Sequence, residues 1–329
     1  MKIVAIVGCG LIGRKRAGAL GGAGLRAVCD AVPERAASLA KMVEGCVVCA
    51  SWEEAVARPD VDIVIAATTH DLLAPIAAAA AANGKHVLME KPGALRAAEL
   101  DCVAQAAART GALVRVGFNH RYHRAFRKAR EIFESGVLGP LMFIRGRYGH
   151  GGRIGYDKEW RAHPEISGGG ELIDQGMHLI DLARWFLGDF REIQGSIATY
   201  FWDMPVEDNG FLLLRTGDAR TAFLHASCTE WKNLFSFEIY GRTGKLEISG
   251  LGGSYGVERL AHYHMLPEMG PPPTEIWEYP MADDSWEMEF RAFLEDIRIG
   301  RRPDPGIDAA QAALRVVEAV YRQAKEQSV

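Results

Sequence analysis

The sequence lacks an apolar run long enough to cross a membrane. Its longest apolar stretch, Leu72 to Ala82, is shorter than the ~18 residues that a membrane-spanning helix requires, and it contains Pro75. The N-terminal run MKIVAIV has no small-residue cleavage site and ends in a glycine turn, which favours a buried first strand over a signal peptide. We therefore expect no contact with membranes and a cytoplasmic location.

Basic residues are not in excess. Lys and Arg total 38 against 42 Asp and Glu, for a net charge of -4. Nucleic-acid-binding proteins usually carry a basic excess, so we expect no nucleic-acid partner. With 329 residues, 48% of them hydrophobic, the chain is long enough for two domains that each bury a core.

Cysteine is scarce, and its pattern indicates no special chemistry. Cys46 and Cys49 form a CxxC among six cysteines, but they lie in a strand-like segment without a second pair or a neighbouring histidine. This context favours reduced thiols over a redox or zinc site. The sequence also contains two close histidine pairs, His120 with His123 and His262 with His264. Neither pair shows a convincing carboxylate partner in the sequence, so we expect no metal site.

The first part of the chain alternates apolar, strand-like runs with helical stretches. The run at 61–67, VDIVIAA, is continuously apolar, which is typical of a parallel strand buried on both faces. Such alternation predicts an α/β Rossmann fold with a doubly wound parallel sheet, which we assign to residues 1–120. The strand-like runs are at 2–7, 25–29, 61–67, 85–89 and 113–117, and the short strand-like segment at 46–49 comes third among them in chain order.

The pattern changes after residue 120. A long helix is predicted at about 171–187, and two helices close the chain near 285–299 and 308–325. Between them, strand-like segments follow one another with short turns, which predicts an α+β domain over 121–329 with an open, mostly antiparallel sheet. The MGPPP segment at 269–273 predicts a rigid surface loop.

A glycine-rich turn follows the first strand. Gly8, Gly10 and Gly13 form GxGxxG, with Leu11 and Ile12 inside it, between an apolar strand and a helix. In a dinucleotide site the first glycine permits the tight turn, the second lets the pyrophosphate approach the backbone, and the third lets helix pack on strand. We therefore predict a dinucleotide-binding turn that these five residues form.

The second strand ends in a carboxylate. Asp30 lies about twenty residues beyond the turn, where it can accept hydrogen bonds from the adenosine ribose and repel a 2′-phosphate. This favours NAD over NADP. Arg14, Lys15 and Arg16 keep NADP open as a minor alternative.

Two segments carry candidate catalytic groups. Lys91, in Glu90-Lys91-Pro92, follows the fifth strand at the carboxyl edge, where open parallel sheets bind ligands. Such a lysine can stabilise an alkoxide, although a plain surface lysine is the alternative. Asp174 and His178 are four residues apart, so on a helix they share one face, and a carboxylate there orients the imidazole and raises its basicity. His178 is then a candidate general base, with a satisfied core histidine as the alternative.

Three glycines at 168–170 precede that helix, and glycine permits close approach of a ligand to the backbone. They favour the functional interpretation. Together with the hairpin at 240–245, these motifs resemble the Gfo/Idh/MocA family, named for glucose–fructose oxidoreductase, inositol dehydrogenase and rhizopine catabolism. The resemblance covers nearly the whole chain.

The resemblance implies NAD-dependent hydride transfer between nicotinamide and a carbinol carbon of a sugar, a sugar derivative or an inositol. It implies that Lys91 and His178 flank the reacting carbon, that Asp174 binds substrate and positions His178, and that Asp181 is structural. It further implies a homodimer or homotetramer formed through the second-domain sheet. No metal is needed, because nicotinamide accepts the hydride.

Further contacts follow from the same resemblance. Thr68, Thr69 and His70 form the turn after the fourth strand and should line the cofactor, although Leu73 stands where many members carry a histidine. Other implied cofactor contacts are Glu90, Lys91 and Asn119, and implied substrate contacts are Lys91, Arg121, Asp174 and His178.

The segment at 148–161 is a long loop rich in Gly, Arg, His and Trp. We expect it to fold over the substrate, with Trp160 and Arg161 nearest the cofactor and with Tyr148 and Arg161 as substrate contacts. An ordinary solvated loop is the alternative.

Two other functions stay open. One is a non-catalytic regulator that uses the fold to sense a dinucleotide, and such a protein need not retain Lys91, Asp174 and His178. The other is an NAD-dependent glycosidase, which oxidises its substrate transiently in order to cleave a glycosidic bond.

Overall fold

The computed structural model describes residues 1–268 and 270–327, without the side chain of Gln327. Met269, in the predicted rigid loop, lies outside the described residues. The chain divides into two compact units. The first comprises Met1–Phe118, Glu165–Gly168 and Trp286–Leu314, and the second comprises Asn119–Pro164, Gly169–Ser285 and the chain from Arg315 onward. Over the described ranges, no helix is both long and apolar enough to span a bilayer.

The first unit contains a six-stranded parallel sheet with strand order β3-β2-β1-β4-β5-β6. Its strands are β1 Ile3–Val7, β2 Gly24–Cys29, β3 Val47–Val48, β4 Ile63–Ala66, β5 His86–Glu90 and β6 Val114–Gly117. Its helices include α1 Leu11–Ala17, α2 Pro33–Ala40, α3 Trp52–Ala57, α4 His70–Ala82 and α5 Leu100–Thr110. The predicted doubly wound α/β fold is confirmed, and the strand order reverses between β1 and β4, where such sheets bind ligands.

A helix from late in the sequence completes the first unit. Phe290 and Phe293 of α9 (Ser285–Ile299) lie in the same buried apolar cluster as Ile6 and Leu88. The predicted boundary at 120/121 is near the main division after Phe118, but assigning all of 121–329 to the second domain differs from the observed units. The reason is tertiary packing, which a contiguous division of the sequence does not capture.

Buried ion pairs accompany this packing. Arg16 of α1 donates to Glu90 and to Glu289, both at 2.6 Å, and all three side chains are buried. Arg115 of β6 pairs with Asp296 of α9. Since a buried charge is tolerated only when it is paired, these contacts fix α1, β5, β6 and α9 to one another.

The second unit contains an eight-stranded sheet with strand order β14-β13-β12-β11-β7-β10-β9-β8. Its strands are β7 Leu141–Gly149, β8 Phe190–Ala198, β9 Asn209–Thr216, β10 Thr221–Ser227, β11 Leu234–Gly241, β12 Gly244–Ser249, β13 Glu258–His264 and β14 Thr274–Tyr279. The remaining helices of the chain are α6 Arg124–Glu134, α7 Pro164–Ser167, α8 Met177–Leu187 and α10 Ile307–Gln327. All strand pairs are antiparallel except β7 with β10, which confirms the mostly antiparallel sheet.

Alternation along the strands buries one face of this sheet. In β11 every second residue is buried, and Phe235 and Phe237 contact the ring of Phe126 on α6 with centroids 5.8 and 5.4 Å apart. Helix α8 packs on β7 and β10 of the same sheet. The predicted hairpin at 240–245 is present, with Tyr240 opposite Lys245.

Candidate active site

The glycine turn after β1 is shaped by close backbone contacts. Gly8 has a φ of +94°, and a Cβ there would lie 2.3 Å from the carbonyl oxygen of Ala67. A Cβ at Gly13 would lie 1.8 Å from the carbonyl oxygen of Gly8. A side chain at Gly8 would therefore disrupt the turn, and one at Gly13 would push α1 away from it. Both contacts agree with the roles predicted for these glycines.

Gly10 differs from its neighbours because it faces open space. No heavy atom lies within 4 Å of the position that its Cβ would take. The turn thus leaves room beside its backbone for a large anion to approach. A dinucleotide pyrophosphate fits this arrangement, with Leu11 and Ile12 beginning the helix beside it.

Asp30, the residue after β2, is held by one backbone donor of the glycine turn and one from its own loop. It accepts hydrogen bonds from the N–H of Cys9 at 2.6 Å and from the N–H of Val32 at 2.8 Å. Its oxygens retain lone pairs that can accept from ribose hydroxyls. Arg16, which kept NADP open in the sequence, is buried between Glu90 and Glu289 and is committed to them. It therefore does not supply the phosphate-binding cation that the sequence allowed.

Lys91 follows β5 and is half-buried. The carboxylate of Glu90 before it accepts from Arg16 through one of its oxygens, and its predicted cofactor contact stays a prediction. A Cβ at Gly117 on the neighbouring strand would lie 2.7 Å from a guanidinium nitrogen of Arg16, so a glycine there makes room for the ion pair. Lys91 is therefore the sequence neighbour of a buried ion-pair network.

The turn after β4 is also well ordered by internal contacts. The Nδ1 of His70 lies 2.8 Å from the carbonyl oxygen of Ser167, and Thr69 donates to Asp71 at 2.6 Å. Leu73, which replaces the histidine of many family members, is fully buried in the core. The predicted cofactor contacts of Thr68, Thr69 and His70 stay predictions.

In the second unit the helix predicted at 171–187 is not uniform. Leu172–Gly176 forms a π-helical turn, and the α-helix α8 begins only at Met177. Asp174 lies in the π turn and His178 is the second residue of α8, and both side chains are buried. A π turn widens the helix locally, and such turns are frequent at functional sites.

A buried carboxylate anchors this turn. Glu207 accepts from the N–H of Gly170 at 3.0 Å, from the N–H of Leu172 at 3.1 Å and from the hydroxyl of Tyr321 at 2.7 Å. Burial raises the pKa of Glu207. A Cβ at Gly170 would lie 1.9 Å from the Glu207 carbonyl oxygen, and one at Gly169 would lie 2.0 Å from the Tyr321 hydroxyl. These glycines therefore serve close protein packing, and the sequence interpretation that they admit a ligand is wrong for both.

His178 stacks on another histidine. The rings of His178 and His120 have centroids 3.6 Å apart and an interplanar angle of 23°. The ring of Tyr148, at the end of β7, lies 5.2 Å from His120 and 6.1 Å from His178. The sequence places His120 close to His123. In the structure His120 stacks on His178, and the Nδ1 of His123 lies 2.9 Å from a carboxylate oxygen of Glu258. The expectation that this histidine has no carboxylate partner is therefore wrong.

Asp174 pairs with a residue of the long loop after β7. The Nε of Arg161 donates to Asp174 at 2.8 Å, and the guanidinium of Arg161 lies over the ring of Trp160 at 4.5 Å. The structure thus brings together three residues that the sequence singled out separately. Since the ion pair is partly buried, it fixes the carboxylate in one orientation.

Two other predicted positions make buried polar contacts. Arg121 forms a bidentate ion pair with Asp181, with distances of 2.7 and 2.6 Å. Asn119 donates to the hydroxyl of Ser285 at 2.9 Å. Asp181 thus has a structural partner, whereas a substrate contact of Arg121 and a cofactor contact of Asn119 stay predictions.

The comparison with protein families decides the classification. Residues 2–118 match the model of an oxidoreductase family with an NAD-binding Rossmann fold, and residues 126–247 match the GFO/IDH/MocA C-terminal domain. The chain belongs to the Gfo/Idh/MocA oxidoreductase family. The resemblance seen in the sequence and the expectation of an NAD-binding domain are confirmed.

Several Gfo/Idh/MocA relatives are dehydrogenases. Inositol 2-dehydrogenase of Salmonella typhimurium is 30% identical over 316 residues, 91% of this chain and 86% of that protein. Levoglucosan dehydrogenase of Pseudarthrobacter phenanthrenivorans is 30% identical over 187 residues, 56% of this chain and 48% of that protein, so the match spans about half its length. A levoglucosan dehydrogenase solved with NADH and levoglucosan shares the fold, with a TM-score of 0.88 at 22% identity over 99% of this chain and 97% of that chain.

Sequence reasoning missed further residues of this family member's second unit. Glu171 is buried, accepts from the hydroxyl of Tyr156 at 3.4 Å and lies 3.6 Å from the Nε2 of His150. Burial lowers the pKa of His150, which favours its neutral form. Glu171 is adjacent to the π turn of Asp174. The only sequence signal of Glu171 was its place beside the glycine-rich segment, and no spacing rule linked it to Tyr156 or His150.

The geometry at Asp30 predicts cofactor preference. We expect NAD to bind at least about tenfold more tightly than NADP, because a 2′-phosphate beside this carboxylate meets like charge. Asp30→Asn should narrow that ratio, whereas Glu34→Gln on the exposed face of α2 should leave it unchanged. Calorimetry with both dinucleotides measures the ratio, and equal or tighter NADP binding by the unaltered chain would reject the role of Asp30.

Proposed function

We propose that this chain is an NAD-dependent dehydrogenase that oxidises a carbinol carbon of a sugar, a sugar derivative or an inositol. The observation that carries the proposal is the buried His178, which stacks on His120 and lies four residues after Asp174 of the Arg161–Asp174 pair. The second unit thereby offers a base, a fixed carboxylate and a guanidinium. The first unit belongs to an NAD-binding family and has an open position at Gly10.

His178 is the proposed base. Oxidation of an alcohol requires loss of the hydroxyl proton, and an imidazole is suited to accept it near neutral pH. The stack with His120 restricts the ring plane of His178, so the lone pair has a fixed direction. NAD, when bound, accepts the hydride.

Asp174 and Arg161 are the proposed substrate-binding pair. A polyol presents several hydroxyl groups that both donate and accept hydrogen bonds. The Asp174 carboxylate accepts from such hydroxyls, and the remaining guanidinium N–H groups of Arg161 donate to them. The half-buried ion pair at 2.8 Å keeps both groups oriented before substrate arrives.

Lys91 is proposed to stabilise negative charge on the reacting oxygen. It is the residue that follows β5 at the carboxyl edge of the parallel sheet, where open α/β sheets bind ligands. An ammonium group there acts most strongly when the oxygen is most negative, which is in the transition state.

The polyol substrate class agrees with the relatives, which are named for inositol and levoglucosan. A panel of inositols, free sugars, anhydrosugars, sugar phosphates and nucleotide sugars, each with NAD, tests it by the absorbance of NADH. We expect at least one polyol to reduce NAD in a saturable way. A panel without any NADH formation, together with NAD-dependent cleavage of a chromogenic glycoside, would replace the dehydrogenase with a glycosidase.

We also propose that the chain forms a homodimer or homotetramer through the eight-stranded sheet. Leu213 on β9 and Phe223 on β10 lie opposite each other, and both are exposed on a face that a partner would cover. The cytoplasmic location stays a prediction.

A further inference from the structure

The edge strand β14 of the eight-stranded sheet and its neighbour β13 bring three potential metal ligands together. His262 and His264 are two apart on β13, so their side chains project from the same face. Glu275 on β14 lies directly opposite His262 in the antiparallel register. Strand pairing therefore sets two imidazoles and one carboxylate side by side.

The three side chains are close enough to bind one metal ion together. The Nε2 of His264 lies 2.8 Å from a carboxylate oxygen of Glu275, and the two imidazole rings have centroids 4.0 Å apart. One ligand atom from each residue can be chosen so that all three lie within 4.8 Å of one another. The sequence expectation that His264 has no carboxylate partner is thus wrong, because that partner is eleven positions away and reached through the sheet.

His262 supplies an independent observation. Its side chain is only 3% exposed, and its Nε2 has no hydrogen-bond partner among the residues that the structure describes. A buried ring nitrogen without a partner is costly, and such exceptions call for an explanation. A metal ion would satisfy that nitrogen.

A glycine on the neighbouring strand lies beside the same nitrogen. Gly244 of β12 lies opposite His264, and a Cβ there would lie 3.0 Å from the Nε2 of His262. A larger residue at 244 would crowd that nitrogen. The glycine therefore keeps side-chain atoms away from this nitrogen.

We propose that His262, His264 and Glu275 bind a divalent transition-metal ion of the zinc class. Two imidazoles and a carboxylate form a ligand set typical of zinc, with the fourth position left for water. Ligand atoms on tetrahedral zinc are roughly 3.4 Å apart, given metal–ligand distances of about 2.0–2.1 Å. The partly exposed His264 and Glu275 can move inward to reach this spacing.

The bound ion would fasten β14, the last strand of the sheet, to β13. None of its ligands belongs to the proposed catalytic set, so the inference does not depend on the proposed function. An ion that binds the folded chain and not the unfolded chain raises its thermal stability, and the increase grows with the ion concentration relative to Kd.

The test is a titration of the untagged full-length chain, after dialysis against a chelator, with Zn²⁺ alone. Calorimetry should show one saturable equivalent. His264→Gln and Glu275→Gln, both at partly exposed positions, should each weaken binding by about tenfold or more, because each removes one ligand. Glu278→Gln is the matched control, because it removes the same charge from the same strand as Glu275→Gln. Glu278 pairs with Arg259 and is not one of the three proposed ligands, so this variant should bind Zn²⁺ like the unaltered chain.

Thermal unfolding provides a second measurement. Zn²⁺ should raise the Tm of the unaltered chain and of Glu278→Gln, and raise that of Glu275→Gln much less. No saturable binding, or equal affinity in His264→Gln and Glu275→Gln, would overturn the site. If His178→Ala abolished Zn²⁺ binding while Glu275→Gln retained it, the ion would bind at the stacked His120–His178 pair. That result would also overturn the proposed site.

Discussion

Replacing His178 with alanine is expected to lower kcat for polyol oxidation by about 10²–10⁴, the usual loss when a general base is removed. The imidazole is buried and stacked on His120, so no solvent-exposed group can readily take its place. NAD affinity should change little, because His178 belongs to the second unit and the dinucleotide turn to the first.

His225→Ala is the matched control for that experiment. His225 lies on β10 in the same unit, bonds Asn209 at 2.9 Å and has no proposed catalytic role. We expect its kcat to stay near that of the unaltered chain. Unchanged turnover in His178→Ala, with a verified substrate, would mean that another group accepts the proton.

Lys91→Met should cut kcat strongly, with little change in NAD affinity. Methionine keeps most of the side-chain length and removes the charge, so the substitution isolates the electrostatic contribution. Since that contribution is largest in the transition state, the loss should be in kcat and less in KM. Steady-state kinetics with the best polyol of the panel measures both parameters.

Two further variants sharpen the result for Lys91. Lys91→Arg should recover little activity, because a planar guanidinium donates with a different geometry from a compact ammonium. Lys41→Met, on the exposed surface of the same unit, should behave like the unaltered chain. If Lys91→Met instead raises KM and preserves kcat, the lysine only anchors substrate.

The dinucleotide turn could be predicted from sequence because its causes are local. Gly8 and Gly13 are dictated by backbone contacts within one strand–turn–helix unit, and Asp30 follows the neighbouring strand at a regular interval. The alternation of strands and helices likewise predicted the parallel sheet, since parallel strands buried on both faces have a distinctive apolar pattern.

The substrate side could be predicted only in part. Asp174 and His178 were visible as a spaced pair, but the π turn that contains Asp174 is held by Glu207, which lies in the loop before β9, far away in sequence. The same distant contact accounts for the glycines that the sequence interpretation assigned to a ligand. Residue spacing cannot reveal a carboxylate that binds the turn from outside.

Other partners that are distant in sequence were hidden for the same reason. The stack of His120 on His178 joins residues 58 positions apart, and Glu275 reaches His264 through the pairing of β13 with β14. The packing of α9 in the first unit is another such case. Phe290 and Phe293 mark an apolar helix face in the sequence, but the sequence does not show which core that face packs against. Long-range packing decided each of these features.

Transfer of deuterium from substrate to nicotinamide tests the central claim most directly. The best polyol of the panel, deuterated at its carbinol carbons, is incubated with NAD and the enzyme, and the reduced dinucleotide is analysed by mass spectrometry. A net hydride transfer predicts NADH that carries one deuterium, formed together with the carbonyl product. NADH without deuterium, or a cleaved glycoside with no net NADH, would contradict the account.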